Sequence, residues 1–363
     1  MNIIFTNGTD LFNDLFKSIS LAKKYILIES YIFRDDCLGQ QLKTLLIKKA
    51  NENIKISIIY DQIGCLFTSS KFFTELKEHG VHVTHFFNPI LSLIPDKLNH
   101  RNHQKIWIID GDIAYIGGFN IGAEYLGKST KFGNWRDTHI KLQGLPAQNI
   151  YNCVISDLTT LTSTTPNWLK TLSTSYSTSI TNSQFEIIRN DPLNNNTDIL
   201  DKFINIIENA KYQILIQTPY FIPDNRLISA LKKACISGVD IRIMIPNGPD
   251  HPIVYWGTYY FVGKLLPYGI KFFTYEKGFL HSKTMVIDST ICSIGSSNLD
   301  MRSFNLNYEI NTFIRSPYVI SLLLDNFKKD IAHCLPLTLE LYNQRSHIIK
   351  VKELIARLIS FLL

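Results

Sequence analysis

Two short runs carry most of the chemistry this sequence offers: His103-Gln104-Lys105 followed by Asp110, and His281-Ser282-Lys283 followed by Asp288. Both read H-x-K-x-x-x-x-D. On an extended backbone residues two apart point to one face, so in each run an imidazole and an ammonium converge. An imidazole attacks or carries protons and an ammonium holds anionic oxygen, a combination suited to displacement at phosphorus. The aspartates have the opposite parity. Asp110 opens Asp110-Gly111-Asp112, a hairpin signal, so although it completes the motif its expected role is to shape the turn, and Asp288 is read likewise.

After each turn the chain returns, through Ile113-Ala114-Tyr115-Ile116 and Ile291-Cys292-Ser293-Ile294, and delivers Gly117-Gly118-Phe119-Asn120 and Gly295-Ser296-Ser297-Asn298. Small residues there admit backbone N–H groups close to an anion, and the Asn120 and Asn298 amides can donate to a phosphoryl oxygen. Acids follow at a distance, Asp137 and Glu309. A carboxylate bonded to the far imidazole nitrogen fixes its tautomer, so these two are expected to orient histidines. The spread charge of the transition state would be met by Lys105, Lys283, Asn120 and Asn298, so no metal is expected, and no clustered carboxylates mark a magnesium or calcium site. Two histidines suit a two-step displacement in which one attacks and the other protonates the leaving alkoxide, then deprotonates the incoming alcohol or water.

One H-x-K is close to noise. Two copies, each followed by G-x-x-N at the same offset, sit inside a longer repeat that must position them. Thr9-Asp10-Leu11-Phe12 and Thr197-Asp198-Ile199-Leu200 each open a helical period after a capping threonine. Apolar strands follow at Tyr25 to Glu29 and Tyr212 to Ile216, then helices at Leu38 to Ala50 and Leu227 to Ala234, then strands at Ile56 to Tyr60 and Ile241 to Ile245. A further helix and a short strand precede each motif. Strand, helix, strand predicts an α/β fold with a largely parallel sheet flanked by helices. The expected organisation is a first repeat over 1–160, a Ser/Thr-rich connection over 161–183, and a second repeat with a C-terminal helical segment over 184–363.

The chain has 363 residues, 45% hydrophobic and 19% charged, which excludes wholesale disorder and suffices for two domains. A formal charge of +6 attracts anions, membrane phosphates and nucleic acid alike. The N-terminus lacks a signal-peptide pattern and no stretch offers the roughly 18 apolar residues of a spanning helix, so a cytoplasmic location is expected. Six cysteines, at 37, 65, 153, 235, 292 and 334, lack zinc spacing and are expected as buried, reduced thiols.

With these residues in view the chain resembles the phospholipase D superfamily, and most of all bacterial cardiolipin synthases, over nearly its whole length. The strings that carry the resemblance include Arg101-Asn102-His103-Gln104-Lys105, Trp135-Arg136-Asp137-Thr138-His139, Pro219-Tyr220-Phe221-Ile222-Pro223-Asp224 and Asn298-Leu299-Asp300-Met301-Arg302-Ser303-Phe304. The resemblance implies a duplicated α-β-α sandwich with pseudo-two-fold symmetry and its active site between the halves. It further implies transfer of a phosphatidyl group from one phosphatidylglycerol to the hydroxyl of a second, giving cardiolipin and glycerol through a phosphohistidine. His103 would be the nucleophile and His281 the acid/base.

The motifs dictate the phosphoryl-enzyme step but not its resolution, so hydrolysis to phosphatidic acid and a nuclease of the same superfamily stay open. Against the nuclease, no aromatic and basic stacking stripe is present. Family members carry transmembrane helices ahead of the catalytic part, whereas this chain begins with the repeat, so peripheral association with an anionic membrane is expected. Candidate contacts are the apolar loop Pro89 to Pro95, the aromatics Tyr255-Trp256 and Tyr259-Tyr260-Phe261, and Leu354 to Leu363, although core packing is the commoner explanation of such stripes.

Overall fold

The computed structural model describes residues 2–86, 99–160, 166–169, 184–194 and 196–359. The apolar Pro89–Pro95 and most of the 161–183 connection lie outside the described residues, and within the connection Leu169 is buried. The elements run β1 (Ile3–Phe5), α1 (Gly8–Ser20), β2 (Tyr25–Ser30), α2 (Cys37–Asn51), β3 (Lys55–Asp61), α3 (Ser70–Glu78), β4 (His82–Phe86), β5 (Arg101–Asn102), β6 (Lys105–Ile109), β7 (Ile113–Gly117), β8 (Trp135–Arg136), β9 (His139–Gln143) and α4 (Leu145–Thr160). They continue β10 (Phe185–Asn190), α5 (Asp198–Glu208), β11 (Gln213–Gln217), β12 (Phe221–Ile222), α6 (Asn225–Ile236), β13 (Asp240–Pro246), α7 (Pro252–Leu265), β14 (Lys271–Tyr275), β15 (Phe279–Leu280), β16 (Thr284–Ile287), β17 (Ile291–Gly295), β18 (Leu299–Asp300), α8 (Met301–Asn305), β19 (Asn307–Ile314), α9 (Pro317–Ile331), β20 (Cys334–Leu337), α10 (Leu339–Asn343) and α11 (His347–Ile359).

The chain forms two compact units, residues 1–130 with 138–187, and 131–137 with 188–363. In the first, the strand order is β1-β9-β7-β6-β2-β3-β4. Strands β2, β3 and β4 pair in parallel, as strand-helix-strand crossovers require. The pairs β2/β6, β6/β7, β7/β9 and β1/β9 are antiparallel. A largely parallel sheet is therefore the wrong expectation: the motif strand enters antiparallel to β2 and is followed by a hairpin, which needs no crossover. The second unit repeats the plan as β19-β17-β16-β11-β13-β14-β20, parallel only at β11/β13 and β13/β14.

Both cores follow the apolar periodicity. In the first unit Leu11, Leu15 and Ile19 of α1 and Leu38, Leu42 and Leu46 of α2 are buried. In the second, Ile199, Phe203 and Ile207 of α5 and Leu227 and Leu231 of α6 are buried with Ile214 and Ile216 of β11. The cap of α1 is Asn7, whose Oδ1 accepts from Asp10 N at 2.9 Å; Thr9 lies inside the first turn, which corrects the capping threonine. At α5 the expected threonine, Thr197, does hold the cap position, but its side chain makes no capping bond to a backbone N–H. No disulfide links the six cysteines, but only Cys65 and Cys292 are buried. Cys37 is exposed because it opens α2 on the outward side.

The motif aspartates hold the hairpins to the sheet. Asp110 accepts from the backbone N–H groups of Lys23, Lys24 and Tyr25 at 2.8, 2.7 and 3.0 Å. Asp288 does the same with Lys211, Tyr212 and Gln213 at 2.7, 2.8 and 2.8 Å. Both adopt left-handed backbone, φ 55° and 50°, which Asp tolerates better than most residues. Each thus ties the turn after its motif strand to the start of the neighbouring β2 or β11, so Asp288→Ala should lower the unfolding free energy by about 2 kcal/mol in urea titration. An unchanged midpoint would mean that water replaces the carboxylate at no cost.

Candidate active site

In the second unit the motif lies between β15 and β16, where the strand is kinked by Gly278, at φ +111°. A Cβ at Gly278 would stand 2.1 Å from Asn134 O, so glycine lets residues 134–136 run alongside. Strand β8 pairs in parallel with β15, Trp135 opposite Phe279 and Arg136 opposite Leu280, and His281 N donates to Arg136 O at 2.7 Å. The next residue, Asp137, then meets the imidazole: His281 Nδ1 lies 2.5 Å from Asp137 Oδ2. Trp135 packs on the ring at a centroid separation of 5.2 Å.

Lys283 Nζ donates to His281 O at 2.6 Å and lies 3.0 Å from His281 Nδ1. That nitrogen cannot both donate to Asp137 and accept from Lys283. The shorter contact to a carboxylate makes it the donor, which leaves Nε2 with its lone pair. His281, Lys283 and Asp137 are all buried. Burial, and then Lys283, hold the His281 pKa below the ordinary histidine value, with Asp137 opposing. Burial likewise lowers Lys283 from 10.5 to about 8, with Asp137 and Glu309 opposing.

A second layer holds this segment. Arg136 donates through Nε to both Asp330 oxygens, at 3.0 and 2.8 Å, and through a terminal nitrogen to Asp137 O. Gln217 Nε2 also donates to Asp330, at 2.8 Å, while its Oε1 accepts from Ser282 and Thr284 at 3.3 and 3.1 Å. Sequence reading missed Asp330, which sits in an ordinary amphipathic helix with nothing local to mark it. It also missed Arg136, although the Trp135-Arg136-Asp137 string contained it.

The first unit repeats the lysine contact and the buried support of the residue between histidine and lysine. Lys105 Nζ donates to His103 O at 2.5 Å, the counterpart of the Lys283 contact. Tyr31 meets the His103 ring edge-on at 5.0 Å and lies 5.2 Å from Lys105 Nζ. Gln104 donates to Glu29 at 3.2 Å and to Asp157 at 3.1 Å, so a buried acid on α4 stands where Asp330 stands on α9. Lys105 is buried and His103 partly exposed.

The G-x-x-N loops are built alike. Gly118 N donates to Thr138 O and Ser296 N to Ile310 O, both at 3.0 Å. A Cβ at Gly117 would lie 2.3 Å from Thr138 O, and one at Gly295 2.2 Å from Asn311 Oδ1, so neither position admits a side chain. Phe119 N reaches His139 Nδ1 at 3.4 Å and Ser297 N reaches Asn311 Oδ1 at 3.2 Å. Asn120 and Asn298 are buried, and among the described residues their Oδ1 atoms have no hydrogen-bond partner. Turning either amide over makes that position a donor. Glu309 is buried and accepts from Ser296 Oγ at 2.5 Å and Asn307 Nδ2 at 3.2 Å. Asp300, which caps α8 by accepting from Ser303 N at 2.6 Å, has its carboxyl raised to about 6 by burial. Asp110 and Asp288 stand at the far ends of β6 and β16, away from the histidines.

Among the described residues no group of three or more His, Cys, Asp or Glu side chains is placed to hold a metal ion. What each unit does hold is an imidazole beside an ammonium, with amides and backbone N–H groups close in the chain, groups whose chemistry suits an anion and a mobile proton.

A duplicated mixed sheet with an H-x-K strand in each copy is the phospholipase D plan. A fold match to phosphatidylserine synthase of Haemophilus influenzae Rd KW20 covers 100% of this chain and 95% of that one, with a TM-score of 0.75 at 14% identity. The family model described as cardiolipin synthase, PLD-like domain, matches residues 15–131 and 203–331. The major cardiolipin synthase ClsA of Bacillus subtilis is 44% identical over 98% of this chain and 74% of its own length, and the cardiolipin synthase of Oceanobacillus iheyensis is 42% identical over the same shares. The chain therefore belongs to the cardiolipin synthase family of phospholipase D-like phosphatidyltransferases.

A buried ammonium costs stability. Because the folded pKa of Lys283 lies below the unfolded one, this cost is absent above pH 10.5 and complete below about pH 8. At pH 7 Lys283→Met should raise the unfolding free energy by about 1–3 kcal/mol, with an advantage that shrinks as the pH climbs past 8. A variant less stable than the parent at pH 7 would show that the ammonium holds the strand together.

Proposed function

We propose that this enzyme joins two phosphatidylglycerol molecules into cardiolipin and glycerol through a phosphohistidine, at the surface of an anionic membrane. The reading is carried by the Asp137–His281–Lys283 cluster together with the matching His103–Lys105 pair. One imidazole is held with a free Nε2 lone pair by a buried acid, and each has a lysine fixed on its own carbonyl.

In the first step the His103 imidazole attacks phosphorus, the bond to the glycerol headgroup breaks, and the departing oxygen takes a proton from His281 Nε2. In the second, the hydroxyl of another phosphatidylglycerol gives its proton back to His281 and attacks phosphorus, releasing His103. The free enzyme keeps His281 neutral at neutral pH. The negative charge of an incoming phosphodiester offsets Lys283, so on binding His281 Nε2 takes up a proton from solvent, and that is the proton donated in the first step and returned to solvent after the second. Lys105, Lys283, Asn120 and Asn298 receive the charge on the phosphoryl oxygens, and Asp137 and Glu309 serve as orienting acids. Among the described residues no helix is long and apolar enough to cross a membrane, and the proposed route to lipid for these residues is by surface contact.

Labelled phosphatidylglycerol should yield cardiolipin; release of phosphatidic acid alone would make water the acceptor, and cleavage of single-stranded DNA with lipid untouched would overturn the reading. Trapped enzyme should carry its phosphatidyl group on residue 103, and an adduct on His281 would reverse the order of the two histidines. The activity kcat/KM should fall above about pH 8 as the Lys283 ammonium is lost, since it reports the free enzyme. A profile flat through that range would remove Lys283 from the phosphate clamp.

A further inference from the structure

The helix α11 is packed inside out. Its inward side is polar at the centre: Glu353 accepts from Tyr342 OH at 2.8 Å and pairs with Arg345 at 2.6 Å, beside the buried Ala356. Gly263 of α7 makes room for this anchor, since a Cβ there would fall 2.1 Å from the Tyr342 ring. Its outward side is apolar. Ile348, Val351, Leu354, Ile355 and Leu358 are 70, 55, 51, 53 and 54% exposed. At about 100° per residue these five share an arc of roughly 120°. His347 shares that arc at the first turn. Lys352 borders one edge, and Lys350 and Arg357 border the other.

Such a stripe is large for a surface meant to face water. Beside it runs an open groove walled by Phe261, Met301 and Leu358, with Lys264, Arg357 and Asp224 at its rim. An apolar floor with mainly cationic edges fits an amphiphile with an anionic head. A second protein copy would be matched by apolar surface alone and gives no reason for the basic borders.

We infer that the outward face of α11 is a docking surface for an anionic phospholipid bilayer, lying in the headgroup plane with Val351, Ile355 and Leu358 among the acyl chains. The inference rests on the phospholipid reading of the site and adds the surface by which the enzyme meets its substrate's phase. Lys350, Lys352 and Arg357 would contact lipid phosphates, which makes binding sensitive to salt and lipid charge.

The test is co-sedimentation of the full chain with vesicles of phosphatidylcholine, alone or mixed with phosphatidylglycerol. The parent should bind the mixed vesicles and not the neutral ones, and Val351→Asp with Ile355→Asp should weaken binding at least ~10-fold. Both side chains are exposed, so the variant should melt like the parent; if it does not, protection of the 347–359 amides from hydrogen exchange on adding mixed vesicles to the parent decides the question. On dispersed short-chain phosphatidylglycerol the variant should turn over like the parent. Vesicle binding unchanged in the variant, no protection of those amides, or a dimer in light scattering that the substitutions dissolve would each overturn the inference. A parent inactive on both dispersed and vesicle lipid would instead overturn the proposed function.

Discussion

The burial of one ammonium and one imidazole, two residues apart, is the constraint around which the second unit is organised. Lys283 and His281 each lose hydration on folding and repel one another when both are charged. The arrangement is tenable because Asp137 supplies a buried negative charge and accepts a hydrogen bond from His281 Nδ1–H. Asp137 can reach that nitrogen because Gly278 lets the chain pass close and because Arg136, tied to Asp330, holds the segment in place. Stability is given up at the place where the proposed phosphate chemistry would use a cation in a dry setting.

The same logic explains the division of labour within each motif. Histidine and lysine sit at one end of a short strand, and the aspartate sits at the other. Three backbone N–H groups converge on each aspartate, fastening the hairpin to its neighbouring strand. The hairpin in turn carries the G-x-x-N loop back toward the histidine end. Register along two strands thereby converts a turn interaction into the position of Asn120 and Asn298.

Much of this was legible in the residues. Period and order disclosed the repeat, and parity separated His103, Lys105, His281 and Lys283 from Asp110 and Asp288. Three features were not. Sheet direction was misjudged because apolar strands look alike whether paired in parallel or antiparallel; the hairpin at Asp110 was the cue that β6 and β7 leave the parallel part. Nor could spacing reveal that Lys131–Asp137, which precedes β9 in the chain, folds with the second unit and gives its acid to the second histidine. That pairing depends on a two-residue parallel ladder with Phe279 and Leu280, too short to leave a periodic signature. Apolar residues in α11 read as core by composition, yet the helix turns them outward because Glu353 and Ala356 occupy its packed side.

The central claim is that Asp137 fixes His281 as the Nδ1–H tautomer with Nε2 free for chemistry. Nitrogen NMR of histidine-labelled enzyme, with the His281 signal assigned by its loss in His281→Ala, tests this directly. The account predicts a protonated Nδ1 and an unprotonated Nε2 at neutral pH, with the preference lost in Asp137→Asn. A proton on Nε2 in the parent, or a spectrum unmoved by Asp137→Asn, would contradict it.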